Sequence, residues 1–205
     1  CALPICDVLA IPATYGAPMY RFPPRQQVLA DIQRFVDQCL DDKATPVLIA
    51  NQIGTAQELM SVLGKAGYRL RVHRSIYDVA KLYKEMGLTL PNARRFQGSP
   101  AKDEVVIFPP ILRKHASIRK LRKYKTAIVS GHAVDPAFVF SQKVDAAFPL
   151  SDTADFQDLL EFISATGARD VYLVDGHIEE LSKELRDRFG VRVYSLIKPK
   201  QLSLF

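Results

Sequence analysis

Apolar positions along the chain fall into two alternating patterns. Short, nearly unbroken apolar runs at 7–11, Pro46-Val47-Leu48-Ile49-Ala50, 68–72, Val105-Val106-Ile107-Phe108, Ala127-Ile128-Val129 and Val171-Tyr172-Leu173-Val174 predict buried strands, with a last strand over 191–197. Between them, apolar residues recur three and four apart, as a helix with one buried face requires. Val28, Ile32, Phe35, Val36 and Leu40 follow the opening pair Pro23-Pro24. Leu59, Met60 and Leu63 follow Thr55-Ala56-Gln57-Glu58, a Thr-x-x-Glu capping box, and Gly67 ends that helix. Ser75 is placed to cap a helix burying Ile76, Val79, Leu82 and Tyr83. Phe156, Leu159, Leu160 and Ile163 form a further stripe, ended by Gly167. Residues 87–101, with Pro91, Gly98 and Pro100, predict an irregular surface loop. The strand–helix–strand rhythm predicts an α/β fold, a mostly parallel sheet covered by helices.

Polar clusters close two of the apolar runs, at 151–155 and 175–177. Carboxyl ends of strands are where α/β proteins build sites. Asp152, Asp155, Asp175, His132 and His177 are the candidate ligands there, oxygen donors with imidazoles that suit manganese or zinc. The competing reading has the aspartates capping helix N-termini and the histidines as polar edge residues, and it is favoured because no known ligand spacing is present. Gly54-Thr55-Ala56-Gln57, between a strand and a helix, is a weak candidate for phosphate binding, since ordinary capping explains each residue.

Several of these segments, in the same order along the chain, resemble the β-CASP branch of metallo-β-lactamase-fold nucleases. Ser151-Asp152-Thr153-Ala154-Asp155-Phe156 resembles that family's Ser-Asp-His-Ala-Asp-Phe, and Val174-Asp175-Gly176-His177 its Val-His-Gly-Glu. Residues 7–16, ending Ala13-Thr14-Tyr15-Gly16, resemble its strand ending in Glu-(Ala/Ser)-Thr-Tyr-Gly. Phe22-Pro23-Pro24-Arg25, Gly54-Thr55-Ala56-Gln57-Glu58 and Val129-Ser130-Gly131 also match. The departures fall on the chemistry. Pro12 stands at the acidic motif, Thr153 at the general-acid histidine and Asp175 at a metal-binding histidine. Pro12 has no carboxylate, and a threonine hydroxyl cannot donate a proton at neutral pH as an imidazole can. The family's His-x-His-x-Asp-His segment is absent from these residues. The resemblance therefore implies a nuclease relative without catalytic residues and without a cofactor. Zinc or manganese is implied only if a metal-binding half lies upstream or in a partner chain.

The resemblance also implies a division of the chain. Residues 1–20 and 142–197 correspond to part of a metallo-β-lactamase-like fold and 21–141 to a β-CASP-like α/β domain, followed by an extended tail over 198–205. In that tail, Gln201, Leu202, Ser203, Leu204 and Phe205 resemble the Gln-Leu-(Ser/Asp)-Leu-Phe peptide by which bacterial replication and repair proteins bind the sliding clamp. Gln201 would hydrogen-bond at one subsite, with Leu204 and Phe205 as buried anchors. Lys198-Pro199-Lys200 would be a stiff spacer.

At 205 residues and 48% hydrophobic, the chain can bury one or two cores. The net charge of +6 and a pI near 9.2 are compatible with a polyanionic partner. The densest charge run holds Arg113, Lys114, Arg119, Lys120, Arg122, Lys123 and Lys125, with Leu112, Ile118 and Leu121 as apolar anchors. It reads equally as a sequence-tolerant DNA or RNA surface or as a solvated face. No bilayer-spanning run or signal-peptide pattern is present, so no membrane association is expected. Cys1, Cys6 and Cys39 read as reduced thiols of a cytoplasmic, bacterial protein, and a start at Cys1 implies a larger parent or a trimmed chain. Three functions follow as expectations: a non-catalytic adaptor that binds the sliding clamp alongside other repair proteins, a metal-dependent nuclease completed by a missing half, or a structural module of an RNA-processing assembly.

Overall fold

A computed structural model describes residues 5–98, 100 and 102–196. Cys1 and the clamp-like residues Gln201, Leu202, Ser203, Leu204 and Phe205 lie outside the described residues. In chain order the elements are β1 (Val8–Ala13), α1 (Arg25–Asp41), β2 (Thr45–Ala50), α2 (Thr55–Lys65), β3 (Arg69–Val72), α3 (Arg74–Glu85), β4 (Ala93–Arg95) and β5 (Glu104–Phe108). They continue with α4 (Ala116–Arg119), β6 (Tyr124–Val129), α5 (Pro136–Gln142), β7 (Ala146–Phe148), α6 (Phe156–Thr166), β8 (Asp170–Gly176), α7 (Ile178–Phe189) and β9 (Arg192–Ser195). Short 3-10 turns stand at Pro110–Leu112 and Gly131–Val134. The described residues divide into two units, 22–153 and 5–21 with 154–196.

The larger unit is a six-stranded parallel sheet in the order β4-β3-β5-β2-β6-β7. Side chains alternate across a strand, so each central strand feeds two cores. Leu48, Ala50, Val105 and Ile107 pack with Val28, Ile32, Leu59, Leu63 and Ile76 of α1, α2 and α3. Val47, Ile49, Val106 and Phe108 pack on the opposite face with Ile118 of α4, Leu121 and Phe138 of α5. Covering both faces explains the unbroken apolar runs. One ion pair is buried in this sheet: Arg71 Nε donates to Glu104 Oε2 at 2.5 Å, with Glu104 3% exposed.

Several sequence expectations shift. The larger unit extends to Thr153 rather than stopping at 141, because β7 pairs with β6 from Ala127↔Ala146 to Val129↔Phe148. The expected loop 87–101 contains β4, whose three residues Ala93-Arg94-Arg95 carry almost no apolar signal and follow the sheet by pairing with β3. Gly54, not Thr55, is the N-cap of α2, so the capping box does not form. Ser75 does not cap α3 either; His73 Nδ1 accepts its N–H. Leu82, expected inside, is 56% exposed, while Ala80 takes the buried position.

The smaller unit is a three-stranded parallel sheet, β1-β8-β9. Its core joins Val171, Leu173 and Val193 to Phe156, Leu159, Leu160 and Ile163 of α6 and Leu181 and Leu185 of α7. The opposite face carries Val8, Val174 and Tyr194 exposed, with Tyr172 and Tyr194 stacked at 4.8 Å. Among the described residues, no helix is long and apolar enough to cross a membrane.

Candidate functional site

In a parallel sheet, a crevice opens at the carboxyl ends wherever neighbouring strands send their connections in opposite directions. The six-stranded sheet does this twice. β2 leaves through α2 toward β3 and β6 leaves through α5 toward β7, so the β2/β6 boundary is one such point. β3 leaves through α3 toward β4, while β5 leaves through α4 toward β6, which makes the β3/β5 boundary the second.

The β2/β6 crevice holds the expected phosphate turn, and the chain's own carboxylate occupies it. Thr55 Oγ1 donates to Asp152 Oδ1 at 3.4 Å. A Cβ on Gly54, which sits at φ +81°, would overlap the Asp152 carboxylate outright. The N-terminus of α2 favours negative charge, and the segment after β7 supplies it through the Asp152 carboxylate. Arg25 crosses from the start of α1 to ion-pair with Glu58, and its Nη1 donates to the Ser151 carbonyl at 3.3 Å. Burial raises the Glu58 carboxyl above its ordinary range; Arg25 opposes that shift and Asp152 adds to it. Gln57 is 3% exposed and its Nε2 donates to the Gln52 carbonyl, whereas Gln57 Oε1 and Glu58 Oε2 are buried without a hydrogen-bond partner among the described residues.

The candidate metal ligands do not assemble. Among the described residues, no group of three or more His, Cys, Asp or Glu side chains is placed to hold a metal ion. Each candidate has a local structural role instead. Asp155 caps α6, Oδ1 accepting the Asp158 N–H at 2.9 Å. Ser151 Oγ accepts the Thr153 N–H at 3.1 Å, closing a side-chain turn at the general-acid position. Asp175 sits at φ +58°, a conformation aspartate tolerates better than most residues, and its Oδ1 accepts the Gly176 N–H at 2.8 Å. His177 lies 5.0 Å from the Tyr20 ring, with Nδ1 3.4 Å from Glu180 Oε1. His132 packs on Phe138 at 5.4 Å. Among the described residues, the one carboxylate oxygen left buried and unpartnered belongs to Glu58, whose other oxygen takes the Arg25 cation. These residues do not fit a metal centre.

Pro12 also has a structural reason. It lies on β1, an edge strand, where a missing N–H is tolerated. The pairing with β8 shifts register directly after it, between Pro12 and Ala13. The Ala13 carbonyl then accepts from Gly16 N at 3.0 Å and from His177 N at 2.7 Å.

The basic run is split by the fold. Arg113, Lys114 and Arg119 border a cavity that also takes in Tyr124 and Lys143, while Lys120, Arg122 and Lys123 border one of about 560 Å³ shared with Lys43 and Lys102. Ile118 and Leu121 are buried beneath, as expected. Two cations of the run are tied down: Lys123 Nζ donates to the Asp42 carbonyl at 2.6 Å and Lys125 Nζ to the Asp42 carboxylate at 2.7 Å. The hydrogen bond from Lys125, and then its charge, lowers the Asp42 carboxyl and raises the Lys125 ammonium. Lys114, Arg119, Lys120 and Arg122 remain exposed.

Sequence reasoning missed two residues of the β3/β5 crevice, His73 and His115. Each Nδ1 accepts the N–H of a serine two residues on, Ser75 at 3.2 Å and Ser117 at 3.3 Å. The repeated His-x-Ser spacing is the signal that would have found them.

No family model matches the chain. It is similar to a probable DNA ligase of Opitutus terrae (strain DSM 11246 / JCM 15787 / PB90-1), 35% identical over 204 residues. The match covers 100% of this chain and 20% of that protein, so the chain spans about a fifth of the length of the relative.

Proposed function

We propose that this chain is a non-catalytic relative of the β-CASP nucleases that acts as an adaptor in bacterial DNA replication and repair. It contacts nucleic acid through the exposed cations of 114–122 and the sliding clamp through Gln201, Leu202, Ser203, Leu204 and Phe205. The observation that carries the DNA assignment is the 35% identity, along the whole chain, to part of a probable DNA ligase. The adaptor reading is supported by the side chains at the motif positions. Pro12 supplies no carboxylate, Thr153 closes a local turn, and Asp175 is engaged with its own neighbour's amide. A metal-dependent nuclease is the second reading. It is favoured by one fact: four-fifths of that relative lies outside the match and has room for a metal-binding half.

Capture on immobilised clamp, with affinity in the micromolar range or roughly 8 kcal/mol, is expected for the whole chain and lost in Leu204→Ala/Phe205→Ala. Single-strand binding should weaken uniformly across sequences, with a flatter salt slope, when Arg119, Lys120 and Arg122 become serine. Unchanged capture by the tail variant overturns the clamp assignment. Cleavage of DNA or RNA with added zinc or manganese, abolished by Asp175→Ala, replaces the adaptor by the nuclease.

A further inference from the structure

β5, β2 and β6 are parallel neighbours, so their first residues lie at one end of the sheet, opposite to the crevices. The three segments that lead into them, 40–45, 100–103 and 120–123, line one cavity of about 560 Å³. Hydrogen bonds fix these segments in place. The Thr45 N–H donates to the Lys123 carbonyl at 2.9 Å, and Lys123 Nζ returns to the Asp42 carbonyl at 2.6 Å. Arg69 Nη2, on β3, donates to the Lys102 carbonyl at 2.7 Å. Lys43 turns the chain from α1 into β2 at φ +55°. Glycine suits that conformation better, so the side chain at 43 is present at a backbone cost.

Among the described residues, the lining carries five cations, Lys43, Lys102, Lys120, Arg122 and Lys123, against two acids, Asp42 and Asp103. Both acids are engaged by cations that do not line the cavity. Lys125 Nζ pairs with the Asp42 carboxylate at 2.7 Å, and Arg69 Nη2 lies 3.8 Å from Asp103 Oδ2. The lining cations are therefore left in excess, and all five are exposed. Favourable placement at helix carboxyl ends accounts for Lys43, Lys120 and Lys123, which stand beside the ends of α1 and α4. It does not account for Lys102 or Arg122. Drawn into one concavity from segments far apart in sequence, the five charges sum to a field that concentrates anions.

We propose that this cavity is a phosphate-binding site that holds the sugar–phosphate backbone of a nucleic-acid strand, with these five cations as its phosphate contacts. The site rests on the nucleic-acid part of the reading above and deepens it. Lys43 and Lys102, which lie outside the basic run, join Lys120, Arg122 and Lys123 in a single contact. The Arg122 guanidinium can take a phosphate through two parallel N–H donors, while the lysines act as point charges around it. The volume falls in the range of ligand-binding cavities and gives room for a nucleotide-sized group. Its wall includes the buried Ala44 and Leu121, and among the described residues no aromatic ring lines it for a base to stack on. Recognition is therefore of phosphate and sugar, not of sequence.

Fluorescence anisotropy of labelled oligo-dT with the full chain, over a series of salt concentrations, tests the site. Five phosphate contacts on a single strand give a slope of log affinity against log salt of about −3.5. Lys43→Gln/Lys102→Gln should bring the slope to about −2 and weaken binding roughly 20-fold at about 0.1 M salt. The hydrogen bonds that fix 43 and 102 run through backbone atoms, so the fold does not depend on either ammonium. Lys65→Gln/Lys81→Gln removes the same charge from exposed lysines of α2 and α3 that do not line the cavity, and should leave the slope unchanged. Oligo-dA of equal length should bind the parent as oligo-dT does. An oligonucleotide that binds the Lys43/Lys102 variant and the parent alike overturns the cavity site and leaves the nucleic-acid reading to the basic run. Tripolyphosphate bound by the parent and lost in that variant, with no oligonucleotide bound, assigns the cavity to a free polyphosphate and overturns the strand and the reading together. Binding of neither also overturns both.

Discussion

Gly54→Ala tests the filled crevice most directly. Gly54 caps α2 at φ +81° and ψ −85°, a conformation that side-chain-bearing residues rarely adopt. Holding an alanine there costs about 2 kcal/mol. Its Cβ must also displace the Asp152 carboxylate, which forfeits the Thr55 hydroxyl contact and the favourable charge at the start of α2. Each of these is small because Asp152 is exposed, and together they amount to about 1 kcal/mol. Gly54→Ala should therefore destabilise by about 3 kcal/mol and Asp152→Ala by about 1 kcal/mol. In the double variant the carboxylate is already gone, so the cost stays near 3 kcal/mol rather than reaching about 4 kcal/mol. Urea unfolding of the four proteins, monitored by circular dichroism with m-values compared, measures the cycle. Strict additivity would falsify the contact between Asp152 and the α2 cap. A cost below about 0.5 kcal/mol for Gly54→Ala would refute the backbone argument as well.

Two further predictions probe the other unit and the buried thiol. Gly176→Ala places a Cβ against the Ala13 carbonyl at φ +73°, and backbone cannot give way cheaply; a loss of about 3 kcal/mol or more is expected. Gly167→Ala, also at positive φ but with nothing within 4 Å, should cost only about 1 kcal/mol by the same urea measurement. Burial pushes the Cys39 thiol up to about 11, so iodoacetamide at pH 8 should label the partly exposed Cys6 well before Cys39, which it should reach only on unfolding. Mass spectrometry showing native Cys39 labelled as fast as Cys6 would contradict its burial.

What the sequence made legible was what apolar periodicity encodes. β2, β5 and β6 are buried on both faces, and α1, α2 and α6 bury one stripe each, so their patterns were unambiguous. β4 was invisible because Ala93-Arg94-Arg95 is a strand only by virtue of its neighbour β3. α5 was missed because Phe140, in its middle, is 86% exposed and breaks any stripe. The caps were misassigned for a different reason. Thr55 and Ser75 have the chemistry of caps, yet Gly54 and His73 hold those positions. Asp152 comes from 97 residues beyond Thr55, a contact that local spacing does not encode.

The β2/β6 crevice of the larger sheet takes its negative charge from the chain itself. At β2/β6 a helix start and a buried polar cluster meet negative charge from Asp152, and Arg25 bridges Glu58 and the Ser151 carbonyl beside it. An incoming anion there would have to displace a carboxylate already tethered by its own chain, at an effective concentration that free phosphate does not match. Diverging connections predict binding at this crevice, and the Asp152 carboxylate decides against a free anion there. Asp152→Ala should accordingly open this crevice to sulfate, measured by isothermal titration calorimetry of the variant against the parent. If removing Asp152 creates no anion affinity, the carboxylate is a cap for α2 and not the occupant of a binding crevice.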